Sequence, residues 1–80
     1  MKQEMFAVFD SKAHAYLPPF FLPTKEMAIR TFKECANDGQ HQFARHPQDY
    51  SLHHVGTFDC TTGVVTSIDP GENLGFVVVY

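Results

Sequence analysis

The chain has no tryptophan, only two cysteines and only six lysines and arginines, and each shortage closes off a class of protein. Cys35 and Cys60 cannot build the several bridges that hold small secreted domains together, and they form no CxxC pair. Six cations against nine carboxylates give a formal charge of −3, where a strongly basic balance would have pointed to nucleic acid. A small local patch can still act against that background. No stretch approaches the ~18 apolar residues that a membrane span needs. The opening Met1-Lys2-Gln3-Glu4 is polar and leads into a short apolar run, which does not read as a signal peptide. The expected setting is a reducing cytoplasm.

Catalytic signatures are missing as well. There is no GxSxG, Walker loop, GxGxxG or HExxH. Asp38, Asp49, Asp59 and Asp69 fall in expected turns, where aspartate serves as a local acceptor. Cys35 falls on a buried helix face, a poor place for a nucleophile. His41 and His46 lie in a loop, and the adjacent His53 and His54 point to opposite faces of a strand. None of the histidines has the short fixed spacing of metal ligands. No enzyme activity, cofactor or metal site is expected.

What the chain does have is apolar material. Eighty residues make a single domain, 1–80, with a thin stability margin, yet 44% are hydrophobic and eight are phenylalanine. That is enough for a core with some left for an interface. Met5 to Phe9 reads as a strand, apolar on both faces and therefore central. Thr24 to Asp38 reads as a helix: Thr24 is the N-cap, and Ala28, Ile29, Phe32, Cys35 and Ala36 form one apolar stripe. Asn37-Asp38-Gly39 supplies its stop, and Phe43 is a candidate anchor in the polar stretch that follows. Tyr50 to Phe58 reads as a strand with a bulge near His53-His54 or Gly56. Asp59 to Gly63 is a hairpin turn, and Val64 to Ile68 is the partner strand, ended by Asp69-Pro70-Gly71. Phe76 to Tyr80 is a final apolar strand that must be covered or paired, and a homodimer through it is one way. The expected class is α+β: a small antiparallel-rich sheet of about four strands with one amphipathic helix packed on a face.

The segment from Asp10 to Pro23 stands apart. Pro18, Pro19 and Pro23 favour extended geometry, while Tyr16, Leu17, Phe20, Phe21 and Leu22 are apolar. Lys12 and Lys25 flank the aromatics, and Arg30 and Lys33 continue on the helix. Single-stranded nucleic acid is bound by aromatic faces that stack on bases and cations that meet phosphates. Lys12, Lys25 and Arg30 are the candidate phosphate contacts, and Tyr16 and Phe20 the candidate stacking rings. Equally, Phe20 and Phe21 can cap the core while the lysines stay solvated. The same segment also suits a protein partner.

Read as a string, Phe6-Ala7-Val8-Phe9-Asp10-Ser11-Lys12-Ala13 and Ala15-Tyr16-Leu17-Pro18-Pro19-Phe20-Phe21 resemble the opening of the small non-structural protein of gokushovirus-type microviruses, phages with circular single-stranded DNA. The likeness continues through Thr24, Ala28, Arg30, Phe32 and Asn37-Asp38. It resumes at Phe43, His46-Pro47, Asp49-Tyr50, Leu52, Gly56-Thr57-Phe58-Asp59 and Thr62-Gly63, and so covers about residues 5 to 68. The resemblance implies a non-structural phage protein in the cytoplasm of the bacterial host. It would bind DNA or the replication complex and help turn duplex replication towards single-strand synthesis and packaging. The expected function is non-enzymatic binding of single-stranded DNA in viral DNA replication or packaging. The alternative is a protein-interaction module docking on the replication initiator or a host replication factor.

Overall fold

The computed structural model describes residues 1–37 and 46–76. Along them run β1 (Lys2–Asp10), β2 (Ala15–Tyr16), β3 (Phe20–Leu22), α1 (Lys25–Asn37), a 3₁₀ turn at Pro47–Asp49, β4 (Tyr50–Asp59) and β5 (Val65–Phe76). Strand accounts for 53% of these residues, so the molecule is mostly β and not the α+β domain of about four strands expected from the sequence. A curled antiparallel sheet of five strands carries one short helix.

The additional strand comes from two segments that the sequence assigns to turns or loops. β1 has β4 on one side, and its other side is covered by β2 at one end and β3 at the other. Together these short strands make one broken edge, and Leu17 extends it by donating its N–H to the Val8 carbonyl at 2.8 Å. Pro18 and Pro19 fall in the break, where the ladder asks for no donor, and an edge position tolerates proline for that reason. Asp69-Pro70-Gly71 likewise does not end a strand. β5 runs on through it, with residues 68–71 bulging opposite the single residue Val55.

β1 is central, as its two apolar faces require. The expected β4 bulge sits at Val55: Phe6 pairs with His54 and Met5 with Gly56, leaving Val55 unpaired on β1. Both sharp turns are built alike. Asp59 Oδ1 accepts from the Thr61 and Thr62 amides, and Gly63 follows with φ +75°. Asp10 Oδ1 accepts from Lys12 and Ala13, and His14 follows with φ +55°. These backbone N–H groups favour the ionised Asp59 and hold its carboxyl below the usual range.

Helix α1 starts where Thr24 caps it, its Oγ1 accepting from the Met27 amide at 3.2 Å. Ala28 and Phe32 are buried against Phe6 and Val8 of β1 and Tyr50 and Leu52 of β4, with Leu17, Phe20, Leu22, Ile29, Cys35 and Leu74 around them. No disulfide joins Cys35 and Cys60. The expected helix stop at Asp38-Gly39, the anchor Phe43 and residues 77–80 of the expected last strand lie outside the described residues, and Phe76 closes β5.

Candidate ligand-binding face

Strand alternation divides β1 into two sets of side chains. Phe6 and Val8 meet the helix, so Gln3, Met5, Ala7 and Phe9 stand on the other face of the sheet. Register then assembles that second face. Tyr16 and Ser51 flank Phe9, His53 lies beside Ala7, Phe21 and Gly56 flank Met5, and Phe58 lies beside Gln3. On β5, Asn73 pairs with His53 and Val65 with Phe58.

Two ring clusters result. Phe9 and Tyr16 are 4.9 Å apart at their centroids, and His53 stands edge-on to both, at 6.3 Å from Phe9 and 5.6 Å from Tyr16. Phe21 meets Phe58 at 5.8 Å. Tyr16 and Phe21 remain 55% and 45% exposed, so each keeps a free ring surface. Their β1 partners, Phe9 and Met5, are four residues apart, which spaces the clusters by about 13 Å along the strand.

The face is as notable for its charge. Glu4, Asp10, Asp59 and Glu72 all occupy register positions of the opposite, helix-bearing parity. Among the described paired residues, this face therefore carries no carboxylate, and no lysine or arginine either. Its polar groups are neutral: Gln3, Ser51, Ser67, Asn73 and His53. The Ser51 hydroxyl and His53 Nε2 are 2.8 Å apart, and partial burial pushes the His53 imidazole below its ordinary pKa.

Residues 3–78 match the family described as Phage ORF5 protein. The chain belongs to that family. No curated protein and no solved structure matches it. No helix among the described residues of this phage protein is long and apolar enough to cross a membrane.

The structure of the phage protein separates the five residues singled out from the sequence. Tyr16 lies on the aromatic face. Lys12, exposed in the β1–β2 turn, borders a polar hollow of about 400 Å³ with Asp10, His46 and Asp49, so two carboxylates share its surroundings. Phe20 is on the helix side, where its ring stacks on Phe6 at 5.8 Å and lines an apolar cleft of about 180 Å³ with Pro18, Phe32 and Cys35. Lys25, first in α1, has its Nζ 2.9 Å from Glu72 Oε1. That hydrogen bond and charge raise the lysine's pKa and lower the glutamate's. Arg30 is exposed on the helix. Sequence reasoning placed Phe21 in the candidate segment without giving it a role, and it did not single out Phe58 or His53. Phe9 carried a signal, since the parity of Met5, Ala7 and Phe9 in an all-apolar strand already implied a second apolar face.

The two adjacent histidines behave oppositely. His54 is buried against Phe6, its Nε2 3.6 Å from Glu4 Oε1 and without a hydrogen-bond partner. Among the described residues, no three His, Cys, Asp or Glu side chains gather as metal ligands would.

Proposed function

We propose that this phage protein is a non-enzymatic binding protein whose aromatic sheet face takes single-stranded DNA during viral replication or packaging, in the cytoplasm of the bacterial host. The observation that carries the reading is the pair of half-exposed rings, Tyr16 and Phe21, on a sheet face whose described paired residues include no carboxylate. Unpaired bases can stack there, and an anionic strand meets no fixed repulsion. The neutral Gln3 and Asn73 offer hydrogen bonds to base edges. Likeness to the small non-structural protein of gokushovirus-type microviruses points the same way.

The test is fluorescence anisotropy of a labelled oligothymidylate across a salt series. Tyr16→Ala and Phe21→Ala should each weaken binding by about 1–3 kcal/mol, the usual range for a stacked base. Both side chains are exposed enough for the fold to survive. Phe20→Ala should instead lower thermal stability, because that ring packs on Phe6. The salt slope should be shallow, about −0.7 for each phosphate neutralised, since few cations are at hand. A folded protein that binds no oligonucleotide at low salt would sink the proposal.

The same face also suits a protein partner. Among its described paired residues the face carries no lysine or arginine, Lys25 is engaged by Glu72, and the protein's net charge is −3. An uncharged aromatic centre is the composition of a protein–protein interface. Its partner would be the replication initiator, a host replication factor or, as a homodimer, a second copy. Sedimentation of the protein alone and pull-down from infected cells distinguish these.

A further inference from the structure

The aromatic face has one titratable base among the described residues, and it stands at the centre. His53 stands edge-on to the touching Phe9 and Tyr16 rings, beside the more exposed of the two stacking side chains. The groups around it come from four strands: Ala7 and Phe9 from β1, Tyr16 from β2, Ser51 from its own strand and Asn73 from β5. None of these is a carboxylate. Burial disfavours a proton on His53, and none of these groups brings a negative charge to offset it. The Ser51 contact does not oppose protonation, because the hydroxyl can donate to a bare Nε2 or accept from a protonated one by rotating.

Building on the single-strand reading above, we infer that His53 is a proton-operated cation of this face, binding the DNA strand more tightly as pH falls. The incoming phosphate supplies the counter-charge that the protein withholds. Protonation places a positive charge on a ring whose centre lies 5.6 Å from that of Tyr16, beside the surface where a base stacks. By linkage, DNA that prefers the protonated form must raise the pH at which His53 titrates. Fixed cations would hold the strand at every pH. A single imidazole makes the hold conditional.

The experiment is the same anisotropy titration at constant ionic strength from pH 8 to pH 5.5, on the wild-type protein and on His53→Gln. Circular dichroism confirms the fold at each pH, and NMR follows the His53 ring with and without the oligothymidylate. The wild type should gain about fivefold in affinity over this range, the upper end for an exposed ion pair. His53→Gln should lose most of that dependence, and the His53 titration should move to higher pH when DNA is present. Three results would each overturn the inference while leaving the DNA reading intact. They are binding that does not change with pH, an equal gain in His53→Gln, and a His53 titration indifferent to DNA. Absence of binding at every pH in a folded protein would remove both.

Discussion

Replacing Gly56 with alanine should cost this protein a measurable share of its stability, and the reason is local geometry between two strands. Gly56 follows the bulged Val55 and pairs with Met5 on one side and Ser67 on the other. A Cβ built there lies 2.7 Å from the Thr66 carbonyl oxygen and 3.6 Å from the Ser67 Cα. Carbon and oxygen do not approach so closely, so β4 and β5 must part by roughly half an ångström. The obstacle is backbone held in the ladder, and no side chain can swing aside to relieve it. Forcing extra volume into a packed site costs about 1–3 kcal/mol, and the stiffer unfolded chain offsets about 0.5–1 kcal/mol of that. The expected net loss is about 1–2 kcal/mol. For a domain of this size that lowers the melting temperature by about 5–15 °C. Thermal and urea unfolding followed by circular dichroism measure it. Gly63→Ala is the useful comparator. Its Cβ would meet nothing within 4 Å, so any loss there comes from the φ of +75° alone, worth about 1 kcal/mol. A Gly56→Ala protein as stable as the wild type would refute the argument and mean that the two strands sit further apart than described.

Three further outcomes follow from other sites. His14 holds φ +55° in the turn after Asp10, so His14→Gly should stabilise by about 0.5–1 kcal/mol, read as a higher urea midpoint. Lys25→Ala should change stability little, and the difference should vanish in high salt, because both Lys25 and Glu72 are solvent-exposed. Because burial lowers the His53 pKa, the imidazole is neutral in both states above about pH 6.5 and contributes nothing there. Below that pH the unfolded chain takes the proton first, so stability should fall as pH drops until the folded imidazole is also protonated. His53→Gln should lose this component of the pH dependence in urea unfolding between pH 7.5 and pH 5.

Signals confined to a few neighbouring residues survived folding unchanged. Thr24 caps the helix it precedes, the stripe of Ala28 and Phe32 faces the core, and Asp59 with Gly63 closes the hairpin. The strand from Met5 is central, and the bulge falls beside Gly56. Each depends on spacing along the chain, and local geometry reads spacing directly.

Tertiary structure decided the rest. Prolines at 18 and 19 speak against a strand only if both sides of that strand must be paired. Once β1 needed a cover for its outer edge, the residues on either side of them became β2 and β3. Asp69-Pro70-Gly71 is a turn by composition, yet β4 holds β5 on both sides of it and the excess residues bulge. Phe20 and Phe21 are neighbours of the same type, and composition cannot tell them apart. The register of β3 on β1 sends one to Phe6 and the core and the other to Phe58 and solvent. Lys25 is a free cation in the sequence and an ion-paired one in the fold, because Glu72 arrives from the far end of the chain. Alternation along a strand is local, but which face meets the helix is set by pairing between distant segments. The candidate binding face therefore came into view only with the sheet.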